Sequence, residues 1–160
     1  MQNALKVGKT EALASVSTMA DGIAVKQPGD LTFAMCQKYV DGVVTVTEDE
    51  IASAILKLIE KHKMVAEGAG AVSVAAAMYN KVDIKGKKAV CVISGGNVDV
   101  NVLDRIIDKA LQANGRITKL SVMVMDKPGQ LTQLLTAIAE TGANIFSVNH
   151  DRMVQDIAVS

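Results

Sequence analysis

AVCVISGGNVDVNVLDRIIDKA, residues 89–110, sets five apolar residues against a Ser-Gly-Gly-Asn turn and follows the turn with an amphipathic helix. A short, continuous run rich in Val and Ile, led in by the lysines of KGKK, is the pattern of a strand covered on both faces in a parallel sheet. Beyond the turn Val102, Ile106, Ala110 and Leu111 trace one helix face, and Gly115 in QANG supplies the stop. Strand, turn and helix in that order make an α/β unit. In open α/β sheets, ligands bind at such a turn, beyond the carboxyl end of a strand. Its glycines let a ligand come close to the backbone, and Ser94 offers a hydroxyl that donates or accepts without charge. The same four residues also suit a plain left-handed turn. SGGNVDVN has neither the third glycine of a dinucleotide fingerprint nor a following Walker lysine, so phosphate binding has little support.

Upstream, KMVAEGAGAVSVAAAMYNK (63–81) is a nearly uncharged helix whose small residues permit close approach, with Glu67 as a carboxylate at its mouth. Before it, VVTVTEDEIASAILKLIEKH (43–62) predicts a strand that hands over to a helix. Thr47 and Glu50 form a capping box there, and Ile51, Ile55, Leu58 and Ile59 recur at helical spacing. A shorter helix is expected from Leu31 to Tyr39, after a loop punctuated by Gly22, Pro28 and Gly29. Downstream the composition changes. KLSVMVM (119–125) alternates as a strand, DKPGQ turns, LTQLLTAIAETG (131–142) is a helix closed by Gly142, and ANIFSVNHDR (143–152) is a second strand: a βαβ unit. A third run, IAVS, opens at Ile157 without completing a strand, and the unit is expected to be cut short.

Seventeen basic residues balance seventeen acidic ones with no basic run and no Trp, which sets nucleic-acid binding aside. The longest uncharged apolar stretch, Gly68 to Tyr79, falls far short of the roughly 20 residues that cross a bilayer, so no membrane partner is expected. Cys36 and Cys91 lie in unrelated contexts and are expected to be packing residues in a reducing cytoplasm. No His or Cys stands at a metal-ligand spacing, and no serine has a His near it in sequence. Neither a metal site nor a triad is predicted.

TMADGIAVKQPG, VTEDEI, AEGAGAVSVAAA and VISGGNVD, in that order, resemble the C-terminal part of the catalytic domain of threonine dehydratases, or threonine ammonia-lyases, of the fold-type II pyridoxal phosphate group. The resemblance implies a parallel sheet with helices over residues 1–117 and, over 118–160, the start of an ACT regulatory domain. It implies conversion of L-threonine to 2-oxobutanoate and ammonia, with L-serine as a further substrate. It places Ser94 on the pyridine nitrogen of the cofactor, Gly95, Gly96 and Asn97 along the same wall, Glu67 near the ring, and Asp21 and Gly22 lining the active-site region. The lysine that carries the cofactor and the loop that binds its phosphate belong, by the same resemblance, before residue 1. This chain alone is therefore expected to be inactive and to supply no catalytic residue of its own. In ACT domains the loop corresponding to Asp126, Lys127, Pro128 and Gly129 faces the residue corresponding to Asn144, and together they would bind an amino-acid effector. Such domains pair, so a homo-oligomer is expected. The alternative is a noncatalytic fragment that senses amino acids or assembles with a partner subunit.

Overall fold

Thr47 begins the helix around which the fold is organised. Its hydroxyl accepts from the Glu50 N–H at 3.3 Å, and the Glu50 carboxylate accepts from the Thr47 N–H at 2.8 Å, which is the expected capping box. The computed structural model describes residues 1–151, and six α-helices form among them. They are α1 (Gln2–Val7), α2 (Asp30–Tyr39), α3 (Glu48–Lys57), α4 (Gly68–Met78), α5 (Val100–Ala113) and α6 (Gln130–Glu140). A 3-10 turn spans Asp21–Ile23, and a π-helical turn, Leu58–His62, prolongs α3. No described helix is long and apolar enough to cross a membrane.

The chain divides into two units, Met1–Thr118 and a second beginning at Lys119. In the first, α3 lies between α4 and α5. Ile51, Ile55 and Leu58 are buried at the predicted spacing, against Ala66, Ala69, Ala71 and Ala75 from α4 and its approach and Ile106 and Ala110 from α5. Small residues on α4 bring its axis close, so the core is made of aliphatic ridges set into alanine grooves. Ile55 is the largest side chain to be fully buried, a burial that contributes roughly 1.5–3 kcal/mol. The single buried polar side chain among the described residues, Ser53, accepts a 3.3 Å bond from Asn114 Nδ2. Lys81 beside Glu50 and Arg116 beside Glu60 hold those two carboxyls below the usual range. Glu60 is exposed to solvent and Glu50 only partly shielded from it, settings in which such pairs add little stability.

Helix α4 is shorter than its apolar run. Lys63 takes a left-handed φ of 57° that ends the preceding helix, and Glu67 is extended, so 63–67 stay outside α4.

The expected strands differ more. Among the described residues no strand ladder forms at 43–47, 85–93, 119–125 or 143–151, so neither the parallel sheet nor the βαβ unit is seen there. A strand exists only when its backbone groups pair with a neighbouring strand. Residues 91–93 are held from a helix instead: Ser73 Oγ donates to the Val92 carbonyl at 2.8 Å, and Cys91 Sγ donates to the Ser73 carbonyl at 3.6 Å. The run still has a strand's period of two. Cys91 and Ile93 are half-buried, while Val90 and Val92 are 90% and 70% exposed, in place of the two covered faces expected.

In the second unit Gly129, φ 89°, leads into α6, and Gly142, φ 79°, follows it. Leu131, Leu134, Leu135 and Ile138 are half-buried, and no described side chain of 119–151 is fully buried. The last expected strand residue, Arg152, and the run from Ile157 lie outside the described residues.

Candidate functional site

Three of the motifs meet at one carboxylate. Glu67 is the residue that precedes α4, with φ −72° and ψ 167°, and its side chain makes no bond to its own helix. Its Oε2 instead accepts from the Asn97 N–H at 3.1 Å, and its own N–H donates to the Gly95 carbonyl at 3.1 Å. A pair of bonds across about thirty residues thus clamps the Ser94–Asn97 turn onto the start of α4. The negative charge also lies at the helix N-terminus, where the macrodipole favours it.

The glycines have a different use from the one expected. Neither Gly95 nor Gly96 has a positive φ, so the turn is not the plain left-handed one. A Cβ on Gly95 would run into the Glu67 carboxylate, one on Gly96 would lie 2.9 Å from the Val65 carbonyl oxygen, and one on Gly70 would lie 2.6 Å from the Gly95 carbonyl oxygen. The side that lacks a Cβ is thus filled by the protein itself. Glycine is required here so that turn and helix can touch, where the sequence points to room for a ligand. Ser94 is the exception: it is exposed, and its hydroxyl makes no hydrogen bond among the described residues.

Asp21 and Gly22 come to the same place. Asp21 Oδ1 accepts from the Gly22 N–H at 2.8 Å at the start of the 3-10 turn. A Cβ on Gly22 would lie 3.1 Å from Ala69 Cβ and 3.4 Å from Glu67 Oε1. What fixes this loop was not legible in the sequence. Glu48, first residue of α3, accepts from the Thr18 hydroxyl at 2.5 Å through Oε1 and from the Met19 N–H at 2.8 Å through Oε2.

In the second unit Asp126, Lys127, Pro128 and Gly129 form one exposed turn, with the Lys127 N–H donating to the Met125 carbonyl at 2.8 Å and the Gln130 N–H to the Lys127 carbonyl at 3.3 Å. Asn144 is exposed two residues beyond Gly142.

The turn thus leaves one neutral hydroxyl, that of Ser94, outward beside the start of α4. The family profile described as pyridoxal-phosphate dependent enzyme matches residues 1–95. The chain belongs to that family. Within it, the chain is 55% identical over 155 residues to the L-threonine ammonia-lyase of Thermotoga maritima, a match covering 97% of this chain and 38% of that protein. It is 45% identical over 155 residues to the protein of the same name from Geobacter sulfurreducens, covering 97% and 39%. The processed form of threonine deaminase isoform 2 from Solanum lycopersicum superposes with a TM-score of 0.62 at 34% identity, over 68% of this chain and 31% of that one. The chain therefore spans about two fifths of the length of these two curated relatives.

Proposed function

We propose that this chain forms one wall of the cofactor site of a pyridoxal phosphate-dependent threonine ammonia-lyase, which converts L-threonine to 2-oxobutanoate and ammonia and also accepts L-serine. The observation that carries this reading is the meeting of the three motifs at Glu67, with Ser94 outward on the clamped turn. Ser94 would hold the ring nitrogen of the cofactor, and the other wall residues serve it: Gly95, Gly96 and Asn97 by their fit against α4, and Glu67 by gripping the Asn97 N–H. When bound, pyridoxal phosphate supplies an electron sink for the pair left on Cα when its proton is removed. A neutral hydroxyl partner leaves the ring nitrogen without a formal positive charge. That restrains the sink and suits expulsion of a β-hydroxyl over chemistry that requires a long-lived carbanion. The overall reaction balances, because the water lost with the β-hydroxyl is regained when ammonia is released by hydrolysis.

The sheet of this family would be completed by pairing of 88–93 with strands from the rest of the catalytic domain. Residues 118–160 read as the beginning of an ACT domain in which Asp126, Pro128, Gly129 and Asn144 take an amino-acid effector and pair with a second copy. An oligomer at work in the cytoplasm follows from that reading.

The test is a chimaera in which this chain replaces the stretch it matches in the Thermotoga maritima protein, with the isolated 160-residue chain beside it. The chimaera should release 2-oxobutanoate from L-threonine, the isolated chain none. Isoleucine or valine should change the rate, and Gly129→Val should remove that response. A folded chimaera without threonine-dependent keto acid would overturn the catalytic reading. An active one indifferent to every amino acid added would overturn the effector site.

A further inference from the structure

Glu48 has no role in the wall just described, yet the structure ties it to the loop that completes the site. Its two carboxylate oxygens take separate donors, the Thr18 hydroxyl at 2.5 Å and the Met19 N–H at 2.8 Å. The Thr18 oxygen in turn accepts from the Ala20 N–H at 3.1 Å, so three consecutive residues hang from one side chain. On the opposite side the same segment meets α4. A Cβ on Gly68 would collide with the Met19 carbonyl, and Ala20 is buried, 1% exposed. The strip 18–20 is thus gripped between the first residue of α3 and the first of α4, and the next two residues, Asp21 and Gly22, emerge beside Glu67. The 3-10 turn they begin is closed by bonds from the Ile23 N–H to the Ala20 carbonyl at 3.1 Å and from the Ala24 N–H to the Asp21 carbonyl at 2.9 Å. Its start is therefore set by where Ala20 is held.

We infer that Glu48 is a positioning residue that, through Thr18 and Met19, fixes the Asp21–Gly22 loop against Glu67 and thereby sets how tightly an amino-acid substrate is held. The inference rests on the reading of this site as a threonine ammonia-lyase site. Glu48 itself touches neither substrate nor cofactor. A carboxylate is needed because both oxygens are engaged as acceptors. Glutamine keeps one acceptor and turns its amide toward a second donor, alanine keeps neither, and Thr18→Val removes one donor alone.

Two readouts separate this role from a merely structural one. In the 160-residue chain, hydrogen exchange at the Ile23 and Ala24 amides reports the turn without any appeal to activity. Glu48→Ala should release their protection, Glu48→Gln should release it in part, and the amides of α5 should stay protected in both. In the chimaera, Glu48→Ala should raise the KM for L-threonine about tenfold, roughly the worth of a hydrogen bond to a charged group, with kcat within about twofold and cofactor content intact. Glu48→Gln and Thr18→Val should lie between that variant and the parent. Unchanged exchange at Ile23 and Ala24 would overturn the inference whatever the enzyme does. A variant less stable but with the parent's KM would make Glu48 a structural tether only and overturn it as well. An inactive parent chimaera would instead remove the functional reading, leaving the exchange result to decide whether Glu48 holds the loop.

Discussion

Gly70 and Gly95 show how little room separates the two central motifs. A Cβ at Gly70 would sit 2.6 Å from the Gly95 carbonyl oxygen, and a backbone atom cannot swing aside as a side chain can. Gly70→Ala should therefore push the Ser94–Asn97 turn away from α4, weaken the Asn97–Glu67 bond and cost about 1–3 kcal/mol of stability, the usual penalty of overpacking. Urea unfolding measures it. A variant as stable as the parent would mean that the turn is free to shift and that the close approach has no structural consequence. At this scale the sequence picks out residues that the structure brings together at Glu67, but not the contacts by which it does so. The SGGN and EGAGA motifs mark Ser94, Gly95 and Glu67, but the contacts that give the glycines their purpose join residues 25–31 apart. Glu48 escaped notice for the same reason. Its neighbours in TEDEI look like ordinary first-turn acids, and its partners Thr18 and Met19 lie in a stretch without a periodic pattern.

Among the elements, α3 follows from its own sequence because what starts it is local. Thr47 and Glu50 stand three apart, and the apolar stripe repeats at helical spacing. The Lys81 ammonium, by its hydrogen bond to Glu50, and the Thr47 N–H together lower the Glu50 pKa below its ordinary 4.5. A depressed carboxyl pKa contributes stability that is present above the unfolded-state value and is lost as pH falls through the folded-state value. Glu50→Gln should accordingly lower the thermal midpoint more at pH 7 than at pH 3, because the contribution fades as pH falls through the folded-state value. Because the Lys81–Glu50 pair is only partly shielded from solvent, added salt should shrink the pH 7 difference. An equal loss at both pH values would assign the effect to capping alone. The apolar runs mark a contrast with α3. Val90 to Ile93 declares a period of two and a preference for extended backbone, but pairing is a property of two segments, and a single run cannot name its partner. Helix existence was therefore legible, whereas the sheet was not.

The molecule as a whole divides where its composition changes, at Thr118 and Lys119, and the two units are built differently. The first has a closed core of aliphatic and alanine side chains around α3. The second exposes Met123 at 81% and Phe146 at 99%, and α6, the one helix among its described residues, half-buries one apolar stripe. The first unit presents a clamped turn with an outward hydroxyl, a carboxylate behind it and a loop held against that carboxylate, the arrangement proposed above as one wall of a cofactor site. On the proposed reading this hydroxyl, on Ser94, holds the cofactor. The most direct measurement is the dissociation constant for pyridoxal phosphate, by absorbance titration of the chimaera and its Ser94→Ala form. Loss of one hydrogen bond worth about 0.5–1.5 kcal/mol should weaken binding by about 2- to 12-fold and shift the bound cofactor's absorption band. An unchanged affinity together with an unchanged band would contradict the account, because Ser94 would then not be the partner of the ring.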